Sequence, residues 1–208
     1  MNSVNCHDNV RDTLERSQLA AGPVEHTPAT PLGGQRDLPA LRLVVLGIGN
    51  TLLGDDAVGI HVIRHLESRK CASLFSGAQI ELVDGGTLGY LLIDRISEAD
   101  GLIIIDSANI NQAPGSVAVF TDQQVDDFLE LNTSSSVHEV GLIDLLQMLR
   151  LNKEAPKRCA LIGIQPELID WAIELSPVVT AALPEACNAV EKILQSWLDD
   201  SENSDVQT

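Results

Sequence analysis

The stretch LRLVVLGIGNTLLGDDAVGIHV, residues 41–62, decides the fold of this 208-residue chain. It begins with a short run of branched aliphatic residues, which is typical of a strand buried in a parallel sheet. Glycines and two acids follow, and small or apolar residues then repeat at the spacing of one helix face, at Gly59, Val62, Ile63 and Leu66. A buried strand, a glycine-containing turn and an amphipathic helix are typical of an α/β fold.

Four more runs of the same kind predict further strands. They are QIELVD (79–84), GLIIID (101–106), SVAVF (116–120) and RCALIGI (158–164). Leucines at helical spacing predict a helix over 138–149, and Pro177, which suits a first helical turn, opens a terminal helix that reaches about Leu198. The sequence therefore predicts a three-layer α/β/α architecture with a mostly parallel, twisted sheet of about five strands.

Composition changes at both ends of this pattern. Residues 1–40 are rich in Pro, Gly and Thr and lack apolar periodicity, so we expect a flexible N-terminal extension. Residues 199–208 hold four acids and no base, which predicts an acidic C-terminal tail. A single α/β domain is expected over 41–198, with an aliphatic core because aromatic residues make up only 3% of the chain.

A formal net charge of -17 limits the partners that the chain can attract. Nucleic acids and anionic membrane surfaces would repel it, so a basic peptide or a cation is the better partner. The longest apolar runs are about half the length of a membrane span, and no signal peptide is visible at the N-terminus. We therefore expect no membrane insertion and a cytoplasmic location.

Several common sites are missing from the sequence. The four cysteines form no C-x-x-C pair, and no serine lies in a G-x-S-x-G elbow, so thiolate metal sites and acyl-enzyme chemistry are not indicated. Gly47-Ile48-Gly49 would need glycine where Leu52 stands to form a dinucleotide loop, so no organic cofactor is expected. His61 and His65 lie one helical turn apart, but without the glutamate of a zinc helix a solvated face is the better interpretation.

Three strand-like runs end on carboxylates. Asp55 and Asp56 follow the first run, Asp84 ends the second and Asp106 ends the third. The carboxyl ends of parallel strands meet at one edge of the sheet, where ligands bind, so these acids suggest a cation site or a proton-transfer site. For each acid taken alone, an N-cap that accepts backbone N–H groups is an equally good interpretation.

His138 lies in the segment SSSVHEVG, where Ser136 and Glu139 have the spacing of a capping box. The first turn of a helix disfavours imidazolium, so a neutral ring nitrogen would be available to a metal. A single histidine in this position is weak evidence for a metal site.

Five blocks, taken in order and spacing, resemble the hydrogenase maturation proteases over about residues 41–195. They are GIGNTLLGDDAVGIHV (47–62), LVDGGTLGYLL (82–92), LIIIDSA (102–108), SVHEVGL (136–142) and LIGIQPELIDWAIELSP (161–177). The first block departs from the family in one respect, because Asp56 stands where several members have glutamate. The fourth departs as well, since Val137 and Glu139 flank His138 where proline and glutamine are frequent.

The resemblance implies that Asp56, Asp106 and His138 are both the catalytic residues and the ligands of a divalent ion. In the family this ion stands in for nickel that the substrate supplies, and another divalent cation is expected to substitute in vitro. The resemblance also implies that Asp84, Gly85, Gly86 and Thr87, the DGGT loop, bind the substrate tail. Two glycines would let the backbone approach an extended peptide closely.

The activity implied by the resemblance is that of an endopeptidase. It would remove the C-terminal extension of a nickel-loaded [NiFe]-hydrogenase large-subunit precursor, by metal-assisted or aspartic-type hydrolysis. One alternative is a nickel-sensing chaperone that grips the precursor without cutting it. Another is a magnesium-dependent phosphohydrolase that uses Asp55, Asp84 and Asp106, although no Lys or Arg clamp accompanies those acids.

Overall fold

The computed structural model describes residues 40–87, 92–132 and 137–205, without the side chains of residues 132–140 and 202–205. Every described residue belongs to one compact unit. The extension predicted over residues 1–40 lies, apart from Ala40, outside the described residues. None of the helices in the described ranges combines the length and apolar character that a membrane span needs.

Five strands form one sheet in the order β2-β1-β3-β5-β4. The first four of these are parallel, and β4 pairs antiparallel with β5 at the edge. The strands are β1 (Leu41–Gly47), β2 (Ala78–Asp84), β3 (Gly101–Ser107), β4 (Val117–Thr121) and β5 (Arg158–Ile164). All five predicted strands are therefore present, each within two residues of the predicted bounds.

Five α-helices cover the two faces of the sheet. They are α1 (Val58–Ser68), α2 (Ile93–Ser97), α3 (Gln123–Asn132), α4 (Val137–Leu151) and α5 (Pro177–Asp205). Short 3-10 helices span Gly54–Ala57 and Cys71–Leu74. The α/β/α prediction is confirmed, and the terminal helix extends past the predicted end at Leu198 into the segment expected to be a tail.

The core consists of two aliphatic layers, one on each face of the sheet. Alternate residues of each strand point to opposite faces, so β3 contributes Ile103 and Ile105 to one layer and Leu102 and Ile104 to the other. The first layer packs against α1 and α5, and the second packs against α2, α3 and α4. Burial on both faces explains why the strand sequences are continuous apolar runs.

Helix α1 packs very closely on the sheet. A Cβ atom on Gly59 would lie 2.2 Å from the Ile105 carbonyl oxygen and 2.4 Å from that of Ile48. The first turn of α1 therefore rests on the backbone at the ends of β1 and β3. This contact fixes the segment that joins β1 to α1, where the candidate site begins.

Candidate active site

The carboxyl ends of β1 and β3 lie side by side near the centre of the sheet. Ile48, just past β1, donates its N–H to the Ile105 carbonyl oxygen at 2.9 Å. The crossover from β1 to β2 uses α1 on one face, and the crossover from β2 to β3 uses α2 on the other. This change of face at β1 makes a topological switch point, the place where open α/β sheets bind ligands.

Asp56 lies in the 3-10 helix between β1 and α1. It is only 5% exposed, and its Oδ2 accepts the Asn50 N–H at 2.9 Å. Gly49 permits this arrangement, because its φ is +143° and a Cβ there would lie 1.9 Å from the Asp56 carbonyl oxygen. The turn holds the Asp56 carboxylate at the end of β1.

Asp106 is the next to last residue of β3, and it is 2% exposed. Its Oδ1 accepts the N–H of Ser107 at 2.8 Å. Strand alternation places Asp106 on the same face as Leu102 and Ile104, which is the face that α4 covers. A second buried carboxylate therefore lies at the switch point.

His138 is the second residue of α4, and its side chain lies outside the described residues. The helix has 15 residues, or about 22 Å, close to the length of the seven-residue strand β5 that it precedes. α4 ends shortly before β5 begins, so it runs from the carboxyl edge of the sheet toward the amino edge. The prediction that helix α4 starts near His138 is confirmed, whereas Ser136 of the predicted capping box is not among the described residues.

The DGGT loop is hydrogen-bonded to the end of β1. Gly85 donates its N–H to Gly47 at 2.9 Å, and Gly49 donates to Gly86 at 2.8 Å. The two loop glycines serve different purposes. A Cβ on Gly85 would lie 2.6 Å from Leu46 Cδ1, whereas Gly86 has a φ of +52° and open space beside it.

Asp84 begins this loop with a half-exposed side chain. Its Oδ1 accepts the Gly86 N–H at 3.1 Å. Its Oδ2 lies 3.8 Å from Arg64 Nη2, so the expectation that no arginine accompanies these acids is wrong for Asp84. Thr87 is exposed. The four predicted substrate-binding residues therefore form a turn with an accessible carboxylate, directly beside the segment that leads to Asp56.

Asp55 has a different environment from its neighbour Asp56. It is 0% exposed, and it accepts three backbone N–H groups, from Glu167 at 3.0 Å, Leu168 at 3.2 Å and Ser176 at 2.7 Å. These donors belong to residues 165–176, the loop between β5 and α5. Asp55 is thus the anchor of this loop, and the phosphohydrolase alternative would need it as a metal ligand instead.

The sequence profile of the hydrogenase maturation proteases matches residues 60–193. This chain belongs to that family. The hydrogenase 2 maturation protease of Escherichia coli is 35% identical over 72% of this chain and 88% of its own length. The hydrogenase expression/formation protein HupD of Rhizobium leguminosarum bv. viciae is 32% identical over 76% of this chain and 77% of its own length.

Solved structures of maturation proteases have the same fold. The hydrogenase maturating endopeptidase HybD from E. coli superimposes with a TM-score of 0.67 at 33% identity, over 75% of this chain and 93% of that one. The [NiFe] hydrogenase maturation protease HybD from Thermococcus kodakarensis gives 0.60 at 25% identity, over 74% and 99%. The chain is accordingly a peptidase.

The cysteines of this maturation protease are unsuited to nucleophilic attack. Burial raises the pKa of Cys71 to about 11 and that of Cys159 to about 12, so both thiols stay protonated at neutral pH. Cys187 is buried as well, and its pKa is also raised by burial. These three are free thiols, and Cys6 lies outside the described residues.

A solvated face was predicted for both histidines of α1, and the structure shows it for one of them. His65 is exposed, but His61 is partly buried, and this burial together with the charge of Arg64 lowers the His61 pKa. Among side chains that the structure describes, which do not include that of His138, no three His, Cys, Asp or Glu groups gather at metal-binding distance.

The attachment of loop 165–176 to Asp55 is the feature beside the candidate site that the sequence did not predict in this protease. Its backbone bonds to Asp55 join residues more than 110 positions apart in the chain, so no local motif predicts them. One signal was present in the sequence. No Lys, Arg or His occurs from Cys159 to Val190, while the loop itself alternates acids with large apolar residues.

Proposed function

We propose that this protease removes the C-terminal extension of a [NiFe]-hydrogenase large-subunit precursor, and that it recognises the nickel already loaded there. The observation that carries the proposal is the pair of buried carboxylates, Asp56 and Asp106, at neighbouring strand ends of the switch point. The course of α4 toward the start of β5 supports a first turn, with His138, at the same edge of the sheet. Relatives named for hydrogenase maturation support the choice of substrate.

Two carboxylates and one imidazole suit a borderline divalent cation such as nickel, and they leave coordination positions for the precursor's own ligands. In this proposal the nickel is part of the substrate, and another divalent cation would occupy the same residues in vitro. The metal would polarise the scissile carbonyl or favour a bound hydroxide. Asp56 or Asp106 could alternatively take the proton from the attacking water, which is the aspartic-type scheme.

The DGGT loop would hold the extended tail next to these residues. Gly86 has open space on the side where a Cβ would be, so a peptide backbone can come close to it. The Asp84 carboxylate is accessible beside it and can accept N–H groups of the tail. Because the DGGT loop lies beside the segment that leads to Asp56, the scissile peptide bond would then lie near the Asp56 and Asp106 carboxylates.

The proposal is tested by incubating the protein with purified precursor, loaded or not loaded with nickel, and reading the intact mass of the precursor. Only nickel-loaded precursor should lose its extension. Asp56→Asn, Asp106→Asn and His138→Ala should each slow this cleavage by about 100-fold or more, because each removes a ligand or a proton acceptor. The circular dichroism spectrum should remain that of the wild type.

Two exposed residues of the same types provide matched controls. Asp94→Asn on α2 and His65→Ala on α1 should cleave at the wild-type rate. Complete processing by any two of the three site variants would contradict the site assignment. A precursor that binds in a nickel-dependent manner but keeps its full mass would contradict cleavage and favour the chaperone alternative.

A further inference from the structure

Loop 165–176 presents large apolar side chains to solvent beside the candidate site. Leu168, Ile169, Trp171 and Ile173 are all exposed, and Trp171 and Ile173 are each 79% accessible. Scattered exposed apolar residues are normal on protein surfaces. Four within six consecutive positions form a patch, and such patches commonly mark interaction sites.

The same loop is fixed in place even though it contains no helix or strand. Besides the three bonds to Asp55, Gly54 donates its N–H to Ala172 at 2.8 Å, and Ala172 donates to Leu52 at 3.1 Å. Leu52 is itself half exposed and extends the apolar surface. A surface that is ordered before binding loses less conformational entropy when a partner docks.

Acidic residues are interleaved with the apolar ones. Glu167, Asp170 and Glu174 are exposed, and the absence of basic residues from position 159 to 190 leaves their charge uncompensated within this stretch. An occupant of this surface must therefore offer apolar side chains together with Lys or Arg. A second copy of this chain fits poorly, because it carries a net charge of -17.

Loop 165–176 is attached to the segment that leads to the proposed cleavage site. Its bridge to Leu53 and its bonds to Gly54 and Asp55 attach it to the residues that immediately precede Asp56. The DGGT loop bonds to the same segment at Gly47 and Gly49, so both loops are attached to the residues that join β1 to α1. Apolar side chains anchored by an aromatic residue are the usual centres of binding energy in such contacts.

We propose that loop 165–176 is the docking surface for a basic, apolar segment of the precursor that lies outside the cleaved tail. This inference rests on the proposed function. Trp171 is the central anchor, Ile173 and Leu168 complete the apolar contact, and Asp170 and Glu174 pair with lysines or arginines of the precursor. The loop thereby selects the precursor independently of its nickel.

Steady-state cleavage of nickel-loaded precursor tests the inference. Trp171→Ala should raise KM by about tenfold or more with little change in kcat, because it removes binding that is equal in the ground and transition states. The double variant Asp170→Lys, Glu174→Lys should raise KM as well, and its KM should depend less on ionic strength. Since these side chains are exposed, and the bond that the Trp171 N–H donates to Asp170 also lies at the surface, the melting temperature should stay close to that of the wild type.

Leu151→Ala is the matched control, because Leu151 is 84% exposed at the far end of α4. Its KM should equal that of the wild type. A Trp171→Ala variant with KM within about twofold of wild type would overturn the inference. If Trp171→Ala keeps a normal KM but loses self-association on gel filtration, the patch serves a second copy of the chain. If it keeps a normal KM but loses binding to neutral phosphatidylcholine vesicles, the patch serves a lipid surface. Either result would also overturn the inference.

The two proposals fail in distinguishable ways. If wild-type protein leaves nickel-loaded precursor uncut, the proposed function is wrong. Binding of the precursor still tests the loop directly, because Trp171 is exposed whereas the other tryptophan, Trp197, is 8% exposed. Burial of Trp171 should shift the fluorescence maximum to shorter wavelength, and Trp171→Phe should abolish that shift; an unchanged spectrum with saturating precursor overturns the inference.

Discussion

At the scale of single residues, two adjacent aspartates have different environments. Asp55 is fully buried and accepts three N–H groups from loop 165–176, whereas Asp56 accepts the Asn50 N–H and lies at the proposed site. Asp55→Ala would leave those three donors without their acceptor. We expect it to lower the free energy of unfolding by about 2–4 kcal/mol, measured by urea denaturation.

Asp56→Asn is the comparison for that experiment. Asparagine keeps an oxygen for the Asn50 N–H, so the free energy of unfolding should change by less than about 1 kcal/mol, while cleavage is lost. If Asp55→Ala unfolds at the wild-type urea concentration and cleaves normally, Asp55 does not anchor the loop. The opposite ranking of the two variants would assign the structural function to Asp56.

Local sequence cannot separate the two acids. From the sequence, N-capping and ligand binding are equally good interpretations for each acid. In the structure, neither acid caps its own helix with its side chain. The partners of Asp55 are supplied by the loop between β5 and α5, more than 110 positions further along the chain. Only the assembled structure can reveal such a contact. The free-energy cost of burying the Asp55 carboxylate, and the stabilisation from its hydrogen bonds, both depend on elements that are distant in the sequence.

At the scale of elements, the packing of α1 on the sheet yields a second prediction. Helix propensity alone favours Gly59→Ala by about 1 kcal/mol. The new Cβ would lie 2.2 Å from the Ile105 carbonyl oxygen, and this backbone atom cannot move aside without distorting β3. We therefore expect a net loss of stability of about 1–3 kcal/mol, seen as a lower melting temperature and less cleavage.

Ser68→Ala, at the exposed end of the same helix, controls for propensity and should change stability by less than about 0.5 kcal/mol. If Gly59→Ala were as stable as the wild type, α1 would have room to shift away from the strand ends. In that case the geometry of the β1–α1 segment would not depend on glycine.

Periodicity predicts the elements that bury a long apolar face, and it misses those that do not. All five strands and helices α1, α4 and α5 were predicted, whereas α2 has only five residues and shows too little pattern. α3 buries Val125, Phe128 and Leu129 at helical spacing, but acids and amides occupy most of its other positions. The acids after Leu198 likewise suggested a tail, yet charge alone does not end a helix that contains no Gly or Pro there.

At the scale of the whole molecule, topology accounts for the part of the site that sequence can predict. Parallel strands bring their carboxyl ends to one edge, so the strand pattern by itself places Asp56, Asp84 and Asp106 there. His138 is linked to them only by family resemblance, because it lies 32 positions after Asp106, beyond β4 and α3. β4 runs antiparallel to β5 and is followed by α3, so the chain passes through two further elements before α4 begins.

The excess of 30 acids over 13 bases also acts on the whole molecule. Exposed ion pairs such as Arg158 with Asp200 contribute about 0–1 kcal/mol each and weaken with salt, whereas repulsion among unbalanced acids is relieved by salt. With a net charge of -17, repulsion should dominate. We expect the melting temperature to rise between about 10 and 150 mM sodium chloride, as the Debye length falls from about 30 to 8 Å.

A charge-reduced variant separates this screening from general effects of salt. Glu67→Gln, Asp94→Asn and Glu154→Gln together remove three exposed negative charges, so the rise in melting temperature with salt should become smaller. Screening is nearly complete by about 0.15 M, whereas stabilisation through exclusion of salt from the surface continues to grow toward molar concentrations. A melting temperature that falls with salt in the wild type would mean that the surface ion pairs outweigh the repulsion.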